Sequence, residues 1–502
     1  SATALATSTD LDNWNWQGVV LKPEGDTTWD KYLIDEGIVD KFGYILAIDQ
    51  GTTGTKALLL DGSGNILGKT SQEITQIYPK PGWIEHDPLE LFQSCLNVVR
   101  ELLDETGVSP KQILAIGIAN QRETTVIWDR VTGEPVSNAI VWQCRRSAEI
   151  CEAIKSSGAE DNIRNKSGLP VDSYFSATKI RWLLDSIPSG QYRAENGELL
   201  FGTVDTWLIW KLTGHAVHAT DVTNASRTML YNIDELKWDK DLLNILNIPS
   251  ALLPEVKPSS HIFGHTLADQ FQDQEIPIAG VAGDQHASLF GQACFRPGMV
   301  KNTYGTGCFV LANAGDKRIS SGPDLISTIA WGIGDQVTYA LEGSVFSAGS
   351  AVQWLKDGLG IIDSTDTLER LVESVEDNGG VYFVPAFSGL GSPYWDPEAR
   401  GTIVGLTRGS SAAHLARAAL EATAYQTRDV INAIELGTPF DVEILRVDGG
   451  GSRSQFMMQF QADMLDVPLE KSLVSETTAQ GAGYLAGLAI GLWKDLEDIE
   501  IL

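Results

Sequence analysis

The first stretch with residues suited to phosphate chemistry is Asp49 followed by Gly51, Thr52 and Thr53, placed between two apolar runs. Glycine lets the backbone approach a ligand closely, and backbone N–H groups beside threonine hydroxyls form a concavity that suits an anion. A carboxylate at the strand end is placed to hold a Mg²⁺ ion that bridges phosphate oxygens. The stretch predicts a phosphate-binding hairpin with Asp49 facing a metal, and an ordinary hairpin with a polar tip is the alternative.

A second hairpin of this kind occurs much later, over residues 300–311, with Gly305-Thr306-Gly307 at its turn. One short glycine-rich motif is a weak signal, because such motifs are common by chance. Two of them, from two α/β halves, predict a nucleotide clamped between the halves. Asp448-Gly449-Gly450 ends a further strand and opens a helix, where backbone can lie against a base and sugar. A plain strand-to-helix turn is the alternative for that segment.

Three polar segments follow predicted strands, where open α/β sheets place their ligand groups. Arg122 and Glu123 offer adjacent donors and acceptors to a polyhydroxyl substrate, or form a surface pair of little energetic value. Trp142 either covers the carbon atoms of a small polyol or fills the core. Asp284 and Gln285 follow a glycine-rich strand end and are candidates for a general base and for a hydrogen-bond partner of the substrate.

The elements that position these residues follow an α/β order. The hairpin 44–60 precedes a strand at 65–69, a helix with Asp87 as N-cap that ends near Gly107, and a buried strand at 113–118. A long amphipathic helix is predicted over 414–434. The apolar residues expected on the buried face of the first helix are Leu89, Phe92, Leu96, Val99 and Leu103.

Composition limits the classes of function. A chain of 502 residues predicts two substantial domains, and its net charge of -29 argues against nucleic-acid or acidic-membrane partners. Its five cysteines are scattered, which predicts reduced thiols in a cytosol-like compartment. No apolar run is long enough to span a bilayer. Residues 1–42 precede the first strong strand and are assigned no catalytic role.

Taken together, these stretches resemble the FGGY family of carbohydrate kinases, and within it the glycerol kinases. The resemblance covers nearly everything from Tyr44 to about Leu496. Its motifs are Asp49–Thr53, Asn120–Thr125, Trp142–Arg146, Ala282–Gln285, Asn302–Phe309 and Asp448–Gly450. It implies an α/β fold of two actin-like (ribonuclease H-like) ATPase domains with a nucleotide cleft between them. The implied limits are 43–291 for glycerol and phosphate binding and 292–502 for adenine nucleotide binding, after an N-terminal extension, 1–42.

The resemblance also implies roles for individual residues. The glycerol-binding set is Arg122, Glu123, Trp142, Tyr174, Asp284, Gln285 and Phe309. The set for ATP is Gly51, Thr52, Thr53, Lys56, Thr306, Gly349, Gln353, Gly450 and Ser454, with Asp49 facing Mg²⁺. Three positions depart from the family pattern. Glu275 stands where bacterial relatives regulated by fructose 1,6-bisphosphate place an arginine, and a carboxylate there predicts no inhibition by that effector. Lys56 stands where an arginine is common, and Ser454 stands where an asparagine near adenine is common.

The implied reaction is MgATP-dependent phosphorylation of glycerol to sn-glycerol 3-phosphate, with Asp284 as general base, in glycerol catabolism and glycerolipid supply. Thr306, Lys56 and Mg²⁺ are expected to stabilise charge on the transferred group. The alternatives are a kinase for another polyol or sugar, such as xylulose, and a non-catalytic actin-like nucleotide-binding protein. We expect no nucleic-acid partner, no membrane insertion, and a homodimer or homotetramer. The expected location is the cytoplasm, or an organelle if the leading segment is a targeting remnant.

Overall fold

The structure is a computed structural model that describes residues 6–7, 15–16, 43–320, 322, 324–396, 398–472 and 474–502. The chain divides into two units, Ser1–Gly43 and Tyr44–Leu502. In the first unit the short strands Ala6–Thr7 and Asn15–Trp16 pair antiparallel. The rest of the predicted extension 1–42 lies outside the described residues.

Within the described residues from Tyr44 onward, twelve strands form one continuous sheet. They are β1 (Tyr44–Gln50), β2 (Gly54–Leu60), β3 (Ile66–Glu73), β4 (Ile113–Asn120), β5 (Ser260–His265), β6 (Pro277–Gly283), β7 (Val300–Tyr304), β8 (Cys308–Gly315), β9 (Ile326–Ile333), β10 (Gln336–Val345), β11 (Leu445–Asp448) and β12 (Leu469–Lys471). Their order across the sheet is β12-β11-β7-β8-β10-β9-β5-β6-β4-β1-β2-β3. Both predicted hairpins are confirmed, as β1–β2 and β7–β8.

The two halves of this sheet, β1–β6 and β7–β12, repeat one strand pattern. In the first half β3 pairs with β2 and β2 with β1 antiparallel, while β1 with β4 and β4 with β6 are parallel. In the second half β10 pairs with β8 and β8 with β7 antiparallel, while β7 with β11 and β11 with β12 are parallel. The repeat places the two glycine–threonine turns at equivalent strand ends.

The halves meet at the edges of β5 and β9 through the register pair Ser260 and Ile333. Helix Thr477–Ala489, near the carboxyl end of the chain, packs on the first half of the sheet. Its approach is close, because a Cβ added at Gly117 of β4 would lie 2.2 Å from the carbonyl oxygen of Ala482. The two halves are therefore interlocked by a helix as well as joined along the sheet.

The α-helices of the described residues flank the sheet and fill the connections. They are α1 (Pro88–Thr106), α2 (Ala148–Ser156), α3 (Glu160–Ser167), α4 (Ser176–Ser186), α5 (Gly190–Glu195), α6 (Val204–Leu212), α7 (Val222–Ala225), α8 (Lys240–Ile245), α9 (Asp284–Gly291), α10 (Gly349–Gln353), α11 (Thr365–Glu373), α12 (Ala412–Gly437), α13 (Gln455–Leu465), α14 (Thr477–Ala489) and α15 (Leu496–Glu500). Short strands outside the main sheet are Glu85–His86, Val126–Asp129, Ala139–Ile140, Leu199–Gly202, Ala219–Asp221, Tyr231–Asn232, Lys237–Trp238, Glu255–Lys257, Tyr382–Val384 and Thr402–Val404. In the part of the chain that the structure describes, no helix has the length and apolar character needed to cross a bilayer.

Helix α1 confirms its predicted caps and part of its predicted face. The Asp87 carboxylate accepts the Leu89 N–H at 2.9 Å, and Gly107 ends the helix in a left-handed conformation. Leu89 is 41% exposed, so its assignment to the buried face was wrong. Val99 and Leu103 are buried as predicted, and the stripe that faces the core runs beside them through Leu91, Cys95, Val98 and Leu102. This is again the spacing of one helical face, displaced around the axis by contact with β2 and β3.

Candidate active site

Side-chain amides fix the first glycine–threonine turn, between β1 and β2. The Gly51 N–H donates to the Gly54 carbonyl at 2.9 Å and closes the turn. Gln76 Nε2 donates to the Thr52 carbonyl at 2.8 Å, and Gln121 Nε2 lies 3.1 Å from the Gly51 carbonyl. Both glutamines also contact the ring of His86. Polar side chains, of which Gln121 and His86 are buried and Gln76 half-buried, thus hold the turn.

Asp49 ends β1 in an environment that suits a bound cation. Burial raises the pKa of Asp49 to about 7; the charge of Lys56 lowers it, and the carboxylates of Asp284 and Glu476 raise it further. Among the residues that the structure describes, none donates a hydrogen bond to the Asp49 carboxylate. A carboxylate that is partly desolvated, close to two other carboxylates and free of hydrogen bonds fits a Mg²⁺ ligand, since the ion adds to the positive charge of Lys56.

Lys56 lies directly opposite Asp49 in the β1–β2 pair. Its Nζ is 2.7 Å from Glu476 Oε2, just before α14, and its side chain is 45% exposed. Glu476 was not predicted to take part in the site. Lys56 therefore lies between two carboxylates, that of Asp49 on the neighbouring strand and that of Glu476 before α14.

Backbone groups of α10 hold the second turn, between β7 and β8. The N–H groups of Ala348 and Ser350 donate to the Thr306 carbonyl at 2.9 and 3.0 Å. The Gly349 N–H donates to the Gly305 carbonyl at 3.0 Å. The predicted residues Thr306 and Gly349 are therefore brought together by the main chain.

This arrangement depends on close backbone contact at two glycines. A Cβ added at Gly349 would lie 2.5 Å from the Gly305 carbonyl oxygen, and one at Gly307 would lie 2.3 Å from the Val345 carbonyl oxygen. Distances below 3.0 Å require the backbone to shift. The second turn therefore has no room for a side chain at either position.

The remaining residues predicted for adenine nucleotide lie in the second half and make local contacts. Gln353 Nε2 donates to the Asp357 carboxylate within the same turn of helix. The Ser454 hydroxyl accepts the Met457 N–H at 3.1 Å and so caps α13. Gly450 begins a short 3₁₀ helix, Gly450–Arg453, directly after β11. No contact described in the structure joins Gln353 or Ser454 to either turn.

Arg122 lies just beyond β4 and is the centre of a buried group of charges. Its Nη1 is 2.6 Å from Glu342 Oε2, and its Nη2 is 3.1 Å from Glu342 Oε1. Its Nε is 3.2 Å from Asp284 Oδ1. Its Nη2 also lies 3.4 Å from the Tyr174 hydroxyl. The predicted residues Arg122, Asp284 and Tyr174 are thus in one contact network.

Glu123 has a backbone conformation that is rare for a residue with a side chain. Its φ is 58°, in the left-handed region, where strain is usually offset by surrounding structure. Its carbonyl accepts hydroxyl hydrogen bonds from Thr125 and Ser176, both at 3.1 Å. Its Oε1 is 2.6 Å from Arg227 Nε, and Arg227 Nη2 is 3.1 Å from Glu342 Oε1. Arg122, Glu123, Arg227 and Glu342 are called the charge cluster below.

The charge cluster sets the protonation of its neighbours. Burial opposes ionisation of Glu342, but the guanidinium groups of Arg122 and Arg227 outweigh it and lower the pKa of Glu342 to about 2. Burial raises the pKa of Asp284, against the opposing charge of Arg122. Burial and the same guanidinium lower the pKa of His286 well below its usual range, so this imidazole is neutral near pH 7.

Asp284 and Gln285 open α9, and a lysine of the second half contacts them. The Asp284 carboxylate accepts the Gln285 N–H at 2.7 Å. Gln285 Oε1 accepts from Lys301 Nζ at 2.5 Å, and Lys301 also donates to Thr303 Oγ1 at 2.9 Å. Lys301 is fully buried in β7, and burial lowers its pKa to about 8. Lys301 of the second half therefore orients the side-chain amide of Gln285 in the first half.

Three aromatic rings from both halves lie beside these polar groups. The Trp142 ring is 5.4 Å from Tyr174 and 6.3 Å from Phe309, measured between centroids. Trp142 Nε1 donates to Thr52 Oγ1 at 2.9 Å. The indole thus connects the first turn to the predicted substrate side. Rings of this kind can cover the carbon atoms of a small polyol while carboxylates, guanidinium and amide contact its hydroxyls.

Sequence reasoning missed five residues that organise the site: Gln121, Arg227, Lys301, Glu342 and Glu476. Lys301 and Glu342 each stand within a buried strand. An ionisable residue in an apolar strand is almost never buried unless it is paired, and this signal could have found both.

Comparisons with known proteins find relatives over most of the chain. Residues 44–291 match the N-terminal domain, and residues 300–490 the C-terminal domain, of the FGGY family of carbohydrate kinases. Glycerol kinase 2 of Thermotoga maritima is 58% identical over 459 residues, which are 91% of this chain and 92% of that protein. The crystal structure of Plasmodium falciparum glycerol kinase with ADP has a TM-score of 0.86 at 38% identity, covering 91% of this chain and 92% of that one. Ligand-bound xylulose kinase from Lactobacillus acidophilus has a TM-score of 0.82 at 25% identity, with 91% of each chain covered.

Proposed function

The chain belongs to the FGGY family of carbohydrate kinases, and from that premise we propose that it transfers the terminal phosphoryl group of ATP to glycerol. Its α/β fold is the two-domain fold of the actin-like, ribonuclease H-like sugar kinases. The observation that carries the proposal is one connected set of contacts: Arg122 with Asp284 and Tyr174, and Trp142 with Tyr174 and Thr52 of the first turn. The 58% identity to a glycerol kinase supports glycerol over larger polyols.

In this mechanism Asp284 receives the proton of the terminal hydroxyl of glycerol. The hydroxyl oxygen forms a bond to the γ-phosphorus while the bond from that phosphorus to the ADP oxygen breaks. Burial raises the pKa of Asp284 and improves its match to a base, while the adjacent Arg122 favours the ionised form needed to accept a proton. General-base help of this kind contributes roughly 10²–10⁴-fold.

The other groups position the reactants and exclude water. Arg122 and Glu123 bind hydroxyls, and Gln285 is held for the same role by Lys301. The rings of Trp142 and Phe309 cover the carbon atoms, which limits attack by water on the phosphoryl group. Alignment and charge stabilisation account for most catalysis of phosphoryl transfer, so these contacts matter more than covalent chemistry.

Magnesium belongs to the proposal, with Asp49 as its protein ligand. The ion would supply charge neutralisation on the phosphate oxygens when bound. The backbones of the two turns, with Thr52, Thr53, Thr306 and Gly349, would contact the phosphates. Lys56, Gln353, Gly450 and Ser454 stay predictions for nucleotide contacts, and for Ser454 the hydroxyl is already used as a helix cap.

Three broader expectations also stay predictions. They are the domain limits at 291 and 292, assembly as a homodimer or homotetramer, and a cytoplasmic location.

A coupled assay of ADP formation with glycerol, xylulose and gluconate tests the proposal. We expect kcat/KM for glycerol to exceed that for the longer substrates about 100-fold or more, because hydrogen-bonding sites discriminate strongly. Preference for xylulose would instead favour the sugar kinase alternative. Nucleotide binding without turnover of any substrate would favour the non-catalytic alternative.

A further inference from the structure

Glu342 contacts two arginines that belong to the other half of the sheet. It lies in β10 of the second half, while Arg122 follows β4 and Arg227 follows α7, both before β7. Both of its carboxylate oxygens accept from Arg122, at 2.6 and 3.1 Å, and Oε1 also accepts from Arg227 at 3.1 Å. The side chains of all three residues are no more than 2% exposed. A fully desolvated carboxylate therefore joins the two halves at the predicted substrate groups.

This contact fixes the orientation of Arg122. A fork of two parallel N–H···O bonds specifies the plane of a guanidinium as well as its distance. The stem of the side chain is also confined, since a Cβ added at Gly283 would lie 2.7 Å from Arg122 Cγ. With both terminal nitrogens on Glu342, the remaining Nε points to Asp284 Oδ1 at 3.2 Å. The direction of that last hydrogen bond is thus set by Glu342.

The charges show that Glu342 cannot be removed without consequence. In the charge cluster two guanidinium groups face two carboxylates. Loss of the Glu342 charge leaves Arg122 and Arg227 with Glu123 and the partly exposed Asp284. A buried charge without its partner reorients or recruits another partner, because leaving it unpaired is costly. The nearest available carboxylate for Arg122 is Asp284.

We propose that Glu342 is a positioning residue for the reaction: it holds Arg122 so that Asp284 faces the terminal hydroxyl of the substrate. Without Glu342, Arg122 turns its terminal nitrogens to Asp284, and the Asp284 carboxylate is then less able to accept the proton of the substrate. Glu342, a residue of the second half, thereby sets the geometry of residues in the first half that are proposed to bind glycerol. This inference rests on the proposed function.

Replacement of Glu342 by glutamine tests the role, because Glu342→Gln keeps the shape and removes the charge. We expect kcat/KM for glycerol to fall about 10- to 100-fold, since small displacements of reacting groups have effects of that size. KM for ATP should stay within about twofold, because the turns that bind phosphate do not contact Glu342. A purely structural role would lower the melting temperature and leave kcat/KM for glycerol unchanged in the folded protein.

Glu421→Gln is the matched control. Glu421 is a buried carboxylate, 4% exposed in its side chain, and Arg417 Nε contacts it at 2.8 Å within α12. Its variant should lose thermal stability without change in KM for glycerol. Equal effects of the two variants on glycerol turnover would overturn the proposal.

A charge-balanced double variant covers the case in which Glu342→Gln does not fold. Glu342→Gln with Arg227→Gln removes one charge of each sign and leaves Arg122 with Glu123 and Asp284. The double variant should fold and still show the selective loss in kcat/KM for glycerol; kinetics within twofold of wild type would overturn the inference. Wild type measured in the same assay separates the two claims. If wild type shows no glycerol turnover, both the proposed function and this inference are wrong. If wild type is active and the variants have unchanged kinetics, only this inference is wrong.

Discussion

The two glycine–threonine turns occupy the same place in a repeated strand pattern, yet different kinds of group hold them. The first turn is held mainly by side chains, with Gln76 and Gln121 donating to its carbonyls and Trp142 donating to Thr52, beside the backbone N–H of Ile74, which donates to the Thr53 carbonyl at 3.1 Å. The second is held by three backbone N–H groups at the start of α10. Topology alone therefore fixes where each turn lies, while local sequence decides what keeps it in shape.

This difference indicates which substitutions each turn tolerates. A turn that depends on side chains loses its shape when an amide is removed. A turn that depends on main-chain contact loses its shape when a side chain is added. Asp284 belongs to neither turn, so a change there should separate the chemical step from nucleotide binding.

The largest effect is expected for Asp284→Asn, which removes the proposed base. We expect kcat to fall roughly 10²–10⁴-fold. The dissociation constant for ATP should stay within about threefold, because the turns are untouched. Steady-state kinetics and calorimetry measure the two quantities separately, and near-normal turnover would dismiss the assignment of the base.

The next effect concerns the second turn. Gly307→Ala places a Cβ 2.3 Å from a carbonyl oxygen, whereas Gly305→Ala places one 3.7 Å from its nearest neighbour. We expect the first variant to lower kcat/KM for ATP about 100-fold, since misplaced phosphate contacts have effects of that order. The second variant should lose far less. Equal losses would contradict the steric account of this turn.

A smaller effect is expected at the first turn. Gln121→Met keeps the volume but removes hydrogen bonds to Gln50 and Gly51. Each such bond contributes about 1 kcal/mol, so loss of both should raise KM for ATP by up to about thirtyfold. Asn232→Leu is a control, because Asn232 is a buried amide bonded to Asp239 away from both turns. That variant should lose stability without change in KM for ATP.

The smallest effect is a change in pH dependence that distinguishes the turns. Lys301 leads into the second turn, and burial lowers its pKa to about 8 against the charges of Asp448, Asp284 and Glu342, with Arg122 acting in the same direction as burial. His86 lies beneath the first turn, and burial lowers its pKa to about 4, so it stays neutral above about pH 5. Of these two groups, Lys301 is the one that titrates above neutral pH, whereas the Asp49 carboxylate before the first turn has its pKa at about 7.

We expect kcat/KM for glycerol to fall as pH rises through about 8, because Lys301 loses the proton that it donates to Gln285. In Lys301→Arg the fall should move to higher pH, because arginine stays protonated. As pH rises, folding stability should change in the opposite direction from kcat/KM for glycerol. Between pH 8 and the ordinary lysine pKa of 10.5 the unfolded chain binds more protons, so stability rises with pH. If the fall of kcat/KM at high pH is unchanged in Lys301→Arg, titration of Lys301 does not cause that fall.

The sequence predicted the parts of this molecule that depend on local pattern. Alternating apolar runs around Gly51 and Gly305 gave both hairpins, and Asp87 and Gly107 gave the ends of α1. The contacts between distant segments were not predictable in this way. Glu342 meets Arg122 across 220 positions of sequence, and no local pattern reports that distance. The left-handed backbone of Glu123 and the displaced face of α1 likewise depend on tertiary neighbours.

The central claim is that both turns bind one triphosphate tail while glycerol lies against Asp284. A crystal structure with glycerol and a non-hydrolysable ATP analogue tests it most directly. The account predicts phosphate oxygens in contact with the backbones of both Thr52 and Thr306, and a terminal hydroxyl within hydrogen-bonding distance of the Asp284 carboxylate. Phosphates bound by one turn alone, or glycerol bound away from Asp284, would contradict it.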